Sequence, residues 1–201
     1  TQVEAGDQFL DPPDDTIPNP NYILYSCGVK APGTGIFRSR TSLLGDIVHA
    51  RPIYVSAPPA DYQFDSYQTY KTANASRAPR VYIGANDGML HAIDAATGSE
   101  VWAYIPSMLI GKLKNLSVDP YTHTYFIDGG VTVGDVNFGT TASPDWRTVL
   151  VGGLGAGGQG LFALDITDPS PATEALAAAK ILWEITPAST GFADLGYTYG
   201  D

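Results

Sequence analysis

The chain has 201 residues, 44% of them apolar, enough for a core in one domain or in one domain with a long arm. Its 11 Lys and Arg against 21 Asp and Glu give a net charge of −10, which repels phosphate backbones and anionic headgroups and excludes nucleic acid as an expected partner. No run approaches the roughly 18 apolar residues of a membrane span, and the opening residues are polar and acidic, unlike a signal peptide.

The 22 glycines and 15 prolines argue against long helices and for many short strands joined by turns. Residues 1–35 read as an extended acidic arm, with Glu4, Asp7, Asp11, Asp14 and Asp15 among Pro12, Pro13, Pro18 and Pro20. A segment with so little apolar material folds only by lying against something else. Cys27 is alone, which excludes an internal disulfide and a thiolate-rich metal site. It reads either as a small, partly buried side chain or as half of a disulfide to sequence outside this chain.

From residue 36 the texture is all-β. Residues 53–57 form a short apolar strand, and 58–79 an ordered insertion whose Tyr62, Phe64, Tyr67 and Tyr70 cover a sheet edge or make an aromatic contact surface. Residues 80–84, 89–94 and 100–105 then make three strands joined by the tight turns Ala85–Gly88 and Ala95–Gly98. The pattern recurs: strands at 130–138, 148–152, 160–166 and 180–185 follow the same order. Val81–Gly84 matches Val149–Gly152, His91–Asp94 matches Phe162–Asp165, and Trp102 matches Trp183. The Asp94-to-Trp102 spacing of 8 grows to 18 between Asp165 and Trp183, where Ser170, Pro171 and an alanine-rich run to Lys180 predict a short capped helix.

Tandem four-stranded units point to a β-propeller. The expected architecture is therefore a propeller fragment with an extended N-terminal arm at 1–35 and a partial propeller at 36–201. Blade one covers about 47–106 with the insertion 58–79, blade two about 129–187, and residues 195–201 start a third. Two blades cannot close a ring, so the remainder of the same propeller is the expected partner of both open faces.

Chemistry is sparse along this frame. His49, His91 and His123 lie far apart in no metal-binding pattern, no nucleophile elbow is present, and the glycine run 152–160 sits between strands instead of opening a helix. Asp135 and Asn137 are weak calcium candidates, two oxygens where a full loop needs about six.

The string Ala92-x-Asp94-x-x-Thr97-Gly98-x-x-x-Trp102 resembles the tryptophan-docking repeat of quinoprotein propellers, and implies structural docking roles for Trp102, Trp183, Asp94 and Asp165. A more specific resemblance is carried by Gly45-Asp46-Ile47-Val48-His49, by Gly84-Ala85-Asn86-Asp87-Gly88-Met89-Leu90-His91 and by Tyr125-Phe126-Ile127-Asp128-Gly129. Residues 157–169, beginning Gly157-Gly158-Gln159-Gly160-Leu161-Phe162, complete the set. Together these resemble the C-terminal propeller of PilY-type proteins of type IV pilus assembly and tip adhesion. The resemblance implies a noncatalytic scaffold, exported through the periplasm to the cell surface, the pilus tip or the outer membrane. It implies minor and major pilins as partners, with a host or surface receptor as a further one, and roles in attachment and twitching motility. It also implies a calcium loop elsewhere in the parent protein and no cofactor in this segment. Lys112 and Lys114, in the segment 107–125, form a local basic spot that could meet an acidic pilin surface. The alternatives are a fragment of a quinoprotein dehydrogenase dependent on pyrroloquinoline quinone and calcium, or a general protein- or carbohydrate-binding propeller.

Overall fold

The structure, a computed structural model, describes residue 42 and residues 44–199; the expected arm at 1–35 and Cys27 lie outside them. Two four-stranded antiparallel sheets carry the fold. The first runs in the order β1 (Ile53–Val55), β2 (Arg80–Gly84), β3 (Leu90–Asp94) and β4 (Glu100–Tyr104). The second repeats that order as β5 (Val131–Asn137), β6 (Trp146–Gly153), β7 (Leu161–Asp165) and β8 (Ile181–Ile185). Both are simple meanders, and the first strands β1 and β5 approach each other at one edge of the pair. The two sheets do not close a ring.

The repeat is visible in the register. Ala92 pairs with Trp102 and Ala163 with Trp183, and in both sheets the ladder slips by one residue just after that pair. On the preceding strands the register equates Gly84 with Gly153, because Arg80 faces Asp94 where Val149 faces Asp165. The match of Val81–Gly84 to Val149–Gly152 is therefore corrected by one position, toward the C-terminus.

Alternation along the strands builds the core between the sheets. Tyr82, Leu90, Ala92 and Tyr104 of the first sheet face Leu150, Phe162 and Leu164 of the second, all buried in one cluster. The Tyr104 and Phe162 rings meet at 5.4 Å. Each such large side chain contributes about 1.5–3 kcal/mol on burial.

Several local expectations are corrected. The insertion 58–79 contains a helix, α1 (Asp65–Ala73), and residues 107–125 begin with 3-10 turns at Ser107–Leu116 that bury Leu109, Leu113 and Leu116. The second short helix, α2 (Glu174–Ala178), is capped by Thr173, whose hydroxyl accepts from Leu176 N. Ser170 is not the cap because its hydroxyl is engaged by the Arg80 guanidinium of the first sheet at 2.6 Å. Residues 195–199 form no strand, since they have no antiparallel neighbour among the described residues. In the Ala85–Gly88 turn only Gly88 adopts a left-handed angle (φ 95°). Asn86 and Asp87 serve there through their side chains.

Candidate functional site

Each sheet is held to its surroundings by the turn between its second and third strands. In the first sheet, Asp87 is buried, and its carboxylate accepts from Gly45 N at 2.7 Å and Met89 N at 3.1 Å. Asn86 N donates to Asp46 O, its Nδ2 donates to the Asp46 carboxylate, and its Oδ1 accepts from Phe126 N. One turn thus grips the chain arriving at the first sheet and the chain leaving for the second. The second sheet repeats the device at Leu154, whose carbonyl accepts from Asp128 N and whose N–H donates to the Thr198 hydroxyl. Close approach explains the small residues: a Cβ on Gly157 would lie 1.6 Å from Phe126 O, and one on Gly45 would lie 2.3 Å from Asp87 N.

Where these crossing segments meet the edge formed by β1 and β5, they enclose a groove of about 760 Å³. Its walls come from His49 and Arg51 ahead of β1, from residues 128–132 at the start of β5, and from residues 195–199. Asp128 is buried and holds His49 twice. Its Oδ1 accepts the His49 backbone N–H at 3.1 Å and its Oδ2 accepts Nδ1–H at 2.6 Å. The imidazole is thereby fixed in orientation while its side chain stays 62% exposed. Arg51 is exposed. The Tyr197 and Tyr199 rings lie nearly parallel, 19° apart with centroids at 6.3 Å, and both are exposed.

The other histidines are also bound to carboxylates. His91 is buried between Asp87, at 3.2 Å from Nε2, and Glu100, at 2.5 Å from Nδ1. Burial pulls its pKa down, but the bonds and charges of Asp87 and Glu100 outweigh it and raise the value. His123 Nε2 meets Asp46 at 2.8 Å.

The residues singled out from sequence fall into separate places. The Trp102 indole N–H donates to Pro169 O at 3.1 Å, across to the second sheet, whereas Trp183 sits at the corresponding register on the outer face and is 38% exposed. Asp94 accepts from Ala96 N, Thr97 N and the Thr97 hydroxyl and pairs with Arg80. Those N–H bonds, led by Thr97, hold its carboxyl below the usual carboxylate range. Asp165 accepts from Thr167 N and faces Arg147 at 3.6 Å.

Tyr67 and Tyr70 are not an exposed contact surface. Tyr67 is fully buried and donates to Asp135 at 2.7 Å; Thr148 donates to the same carboxylate and therefore accepts from Tyr70 and from Arg77. Tyr62 and Phe64 remain exposed beside Trp146, which Tyr62 overlies at 5.6 Å. The calcium candidates are likewise corrected. The Asp135 carboxylate is consumed by Tyr67 and Thr148, and Asn137 Oδ1 accepts Gly139 N and Asp145 N in a turn. Among the described residues, no cluster of three or more His, Cys, Asp or Glu could hold a metal. Lys112 is no free basic spot, for its ammonium donates to Tyr125 O and Gly157 O over the Phe126 ring; burial lowers its pKa. Lys114 is half-buried beside it in sequence.

Three comparisons place these features. A family profile described as "PilY1 beta-propeller domain" matches residues 44–200. A "Type IV pilus biogenesis factor PilY1 homolog" of Xylella fastidiosa is 43% identical over 178 residues, covering 85% of this chain and 14% of that protein. "Type IV pilus biogenesis factor PilY1" of Pseudomonas aeruginosa is 43% identical over 175 residues, with 81% and 14% covered. The crystal structure of the Pseudomonas aeruginosa PilY1 C-terminal domain resembles this chain with a TM-score of 0.52 and 39% identity, over 72% of this chain and 27% of that one. The chain thus spans about a seventh of the length of these curated relatives.

Proposed function

Because the chain belongs to the PilY1 beta-propeller domain family, we propose that it is a noncatalytic segment of a type IV pilus biogenesis protein that works at the cell surface. The observation that carries this reading is the 43% identity, across 81–85% of the chain, to proteins named as type IV pilus biogenesis factors. Its two sheets act as successive blades of a rigid platform, and the loops around them meet partners. Those partners are pilins, with a surface receptor as a further one, and residues 195–199 lead into a third blade. Export through the periplasm, attachment and twitching motility follow from that placement.

The test is an in-frame chromosomal deletion of residues 44–200, scored for surface pili and twitching. Loss of both is expected, with rescue by the intact gene. Unchanged piliation and motility would overturn the reading. So would alcohol-dependent dye reduction by the intact protein supplied with pyrroloquinoline quinone and calcium.

A further inference from the structure

The groove beside β1 and β5 has the parts of a binding site, and we infer that it takes an acidic sugar, a uronate, by its carboxylate, one hydroxyl and one ring face. This inference is independent of the pilus reading.

Three features define the ligand. Arg51 stands exposed on the wall, in a chain whose net charge is −10. Among the described residues no ion pair neutralises its guanidinium, whose fork of donors matches a carboxylate in two-point geometry. His49 is the second feature. Asp128 occupies Nδ1 and the backbone N–H, so Nε2 is the ring nitrogen left to the groove. Neutral imidazole offers a lone pair there and imidazolium offers an N–H. A hydroxyl answers both states, because it donates or accepts. The buried Asp128 fixes the ring before anything binds, which lowers the ordering cost of binding. Third, the exposed Tyr197 and Tyr199 line the groove and supply aromatic surface suited to the C–H face of a pyranose.

The rest of the wall combines backbone at Gly129, Gly130, Gly152 and Gly153 with the side chains of Val131, Val151 and Leu161. A volume of about 760 Å³ lies within the 300–1,000 Å³ of small-ligand clefts. A bare divalent cation is disfavoured: Arg51 repels it, and the Asp128 oxygens are already bonded to His49.

Calorimetric titration of the intact protein tests this with galacturonic acid and its trimer, the neutral galactose trimer and a hexaglutamate peptide. Binding of the galacturonate trimer is expected, with the galactose trimer and the peptide at least ten-fold weaker. Monomer binding as tight as trimer binding would mark a free sugar acid as the source of the ligand, and tighter trimer binding a polysaccharide; either supports the site. Arg51→Gln, at an exposed position that should fold normally, is expected to weaken trimer binding at least ten-fold. No binding by the native protein, equal binding of the neutral trimer or the peptide, or an unchanged affinity in Arg51→Gln would overturn the inference.

Discussion

His91 shows how a residue that looks functional in isolation becomes structural in context. It is buried, with a carboxylate on either ring nitrogen, and its pKa is raised above the ordinary imidazole value. The proton is held more tightly in the folded state than in the unfolded one. Its stabilising contribution is therefore complete below the unfolded value of about 6.5 and is lost as pH rises through the higher folded value. His91→Gln should cost about 1–3 kcal/mol at pH 6, mainly because buried Asp87 loses its cationic partner. Thermal melts of native protein and variant across pH 6–9 check this: the gap in Tm should shrink as pH rises. A gap that stays constant or widens would show that His91 is not carrying a proton at pH 6.

At the scale of elements, the eight strands were legible because alternation, Gly-bearing turns and the Asp-to-Trp spacing all agree. The helix α1 was not. Its buried Tyr67 and half-buried Tyr70 face a polar network supplied by β5 and β6, nearly 70 residues downstream or more, so no apolar period appears in its own sequence. The leucines at 109, 113 and 116 were a signal for helical turns that the glycine and prolines around them concealed. The groove was illegible for a different reason: His49 and Asp128 stand 79 residues apart, and only the crossing at the two turns brings them together. The α1 contact makes a direct prediction. Tyr67→Phe keeps the ring but removes the hydroxyl from a buried carboxylate, and should cost about 1.5–3 kcal/mol, the range for hydrogen bonds to charged groups. Urea unfolding measures it through a lowered midpoint at unchanged slope. A loss below about 0.5 kcal/mol would mean that α1 is not clamped to the second sheet by this bond.

At the scale of the molecule, the two sheets use one kind of face twice but cover it once. Trp102 is satisfied by Pro169 in the loop that follows β7, while its counterpart Trp183, with Ile181 beside it, is exposed on the outer face. A further sheet of the same kind would supply the missing carbonyl and cover. Single-tryptophan variants distinguish the two positions by fluorescence quenching. In the isolated 201-residue chain Trp183 should be quenched by acrylamide several-fold more readily than Trp102, and in the intact protein the two should converge. A Trp183 equally quenched in both forms would mean that no blade packs there. The isolated chain should also self-associate on sedimentation, since its outer faces leave apolar surface wet at about 25 cal/mol per Å².

The turns at Asn86 and Leu154 each grip the polypeptide twice, on its way into one sheet and on its way to the next. Tension along the chain therefore reaches these crossings before it reaches the strand ladders. They act as anchors that divide the molecule into separately secured lengths, so that a pull on one sheet is not passed on to the next until its anchor slips. Mechanical endurance is then set by a few side-chain and backbone bonds at two turns, and not by the area of sheet behind them.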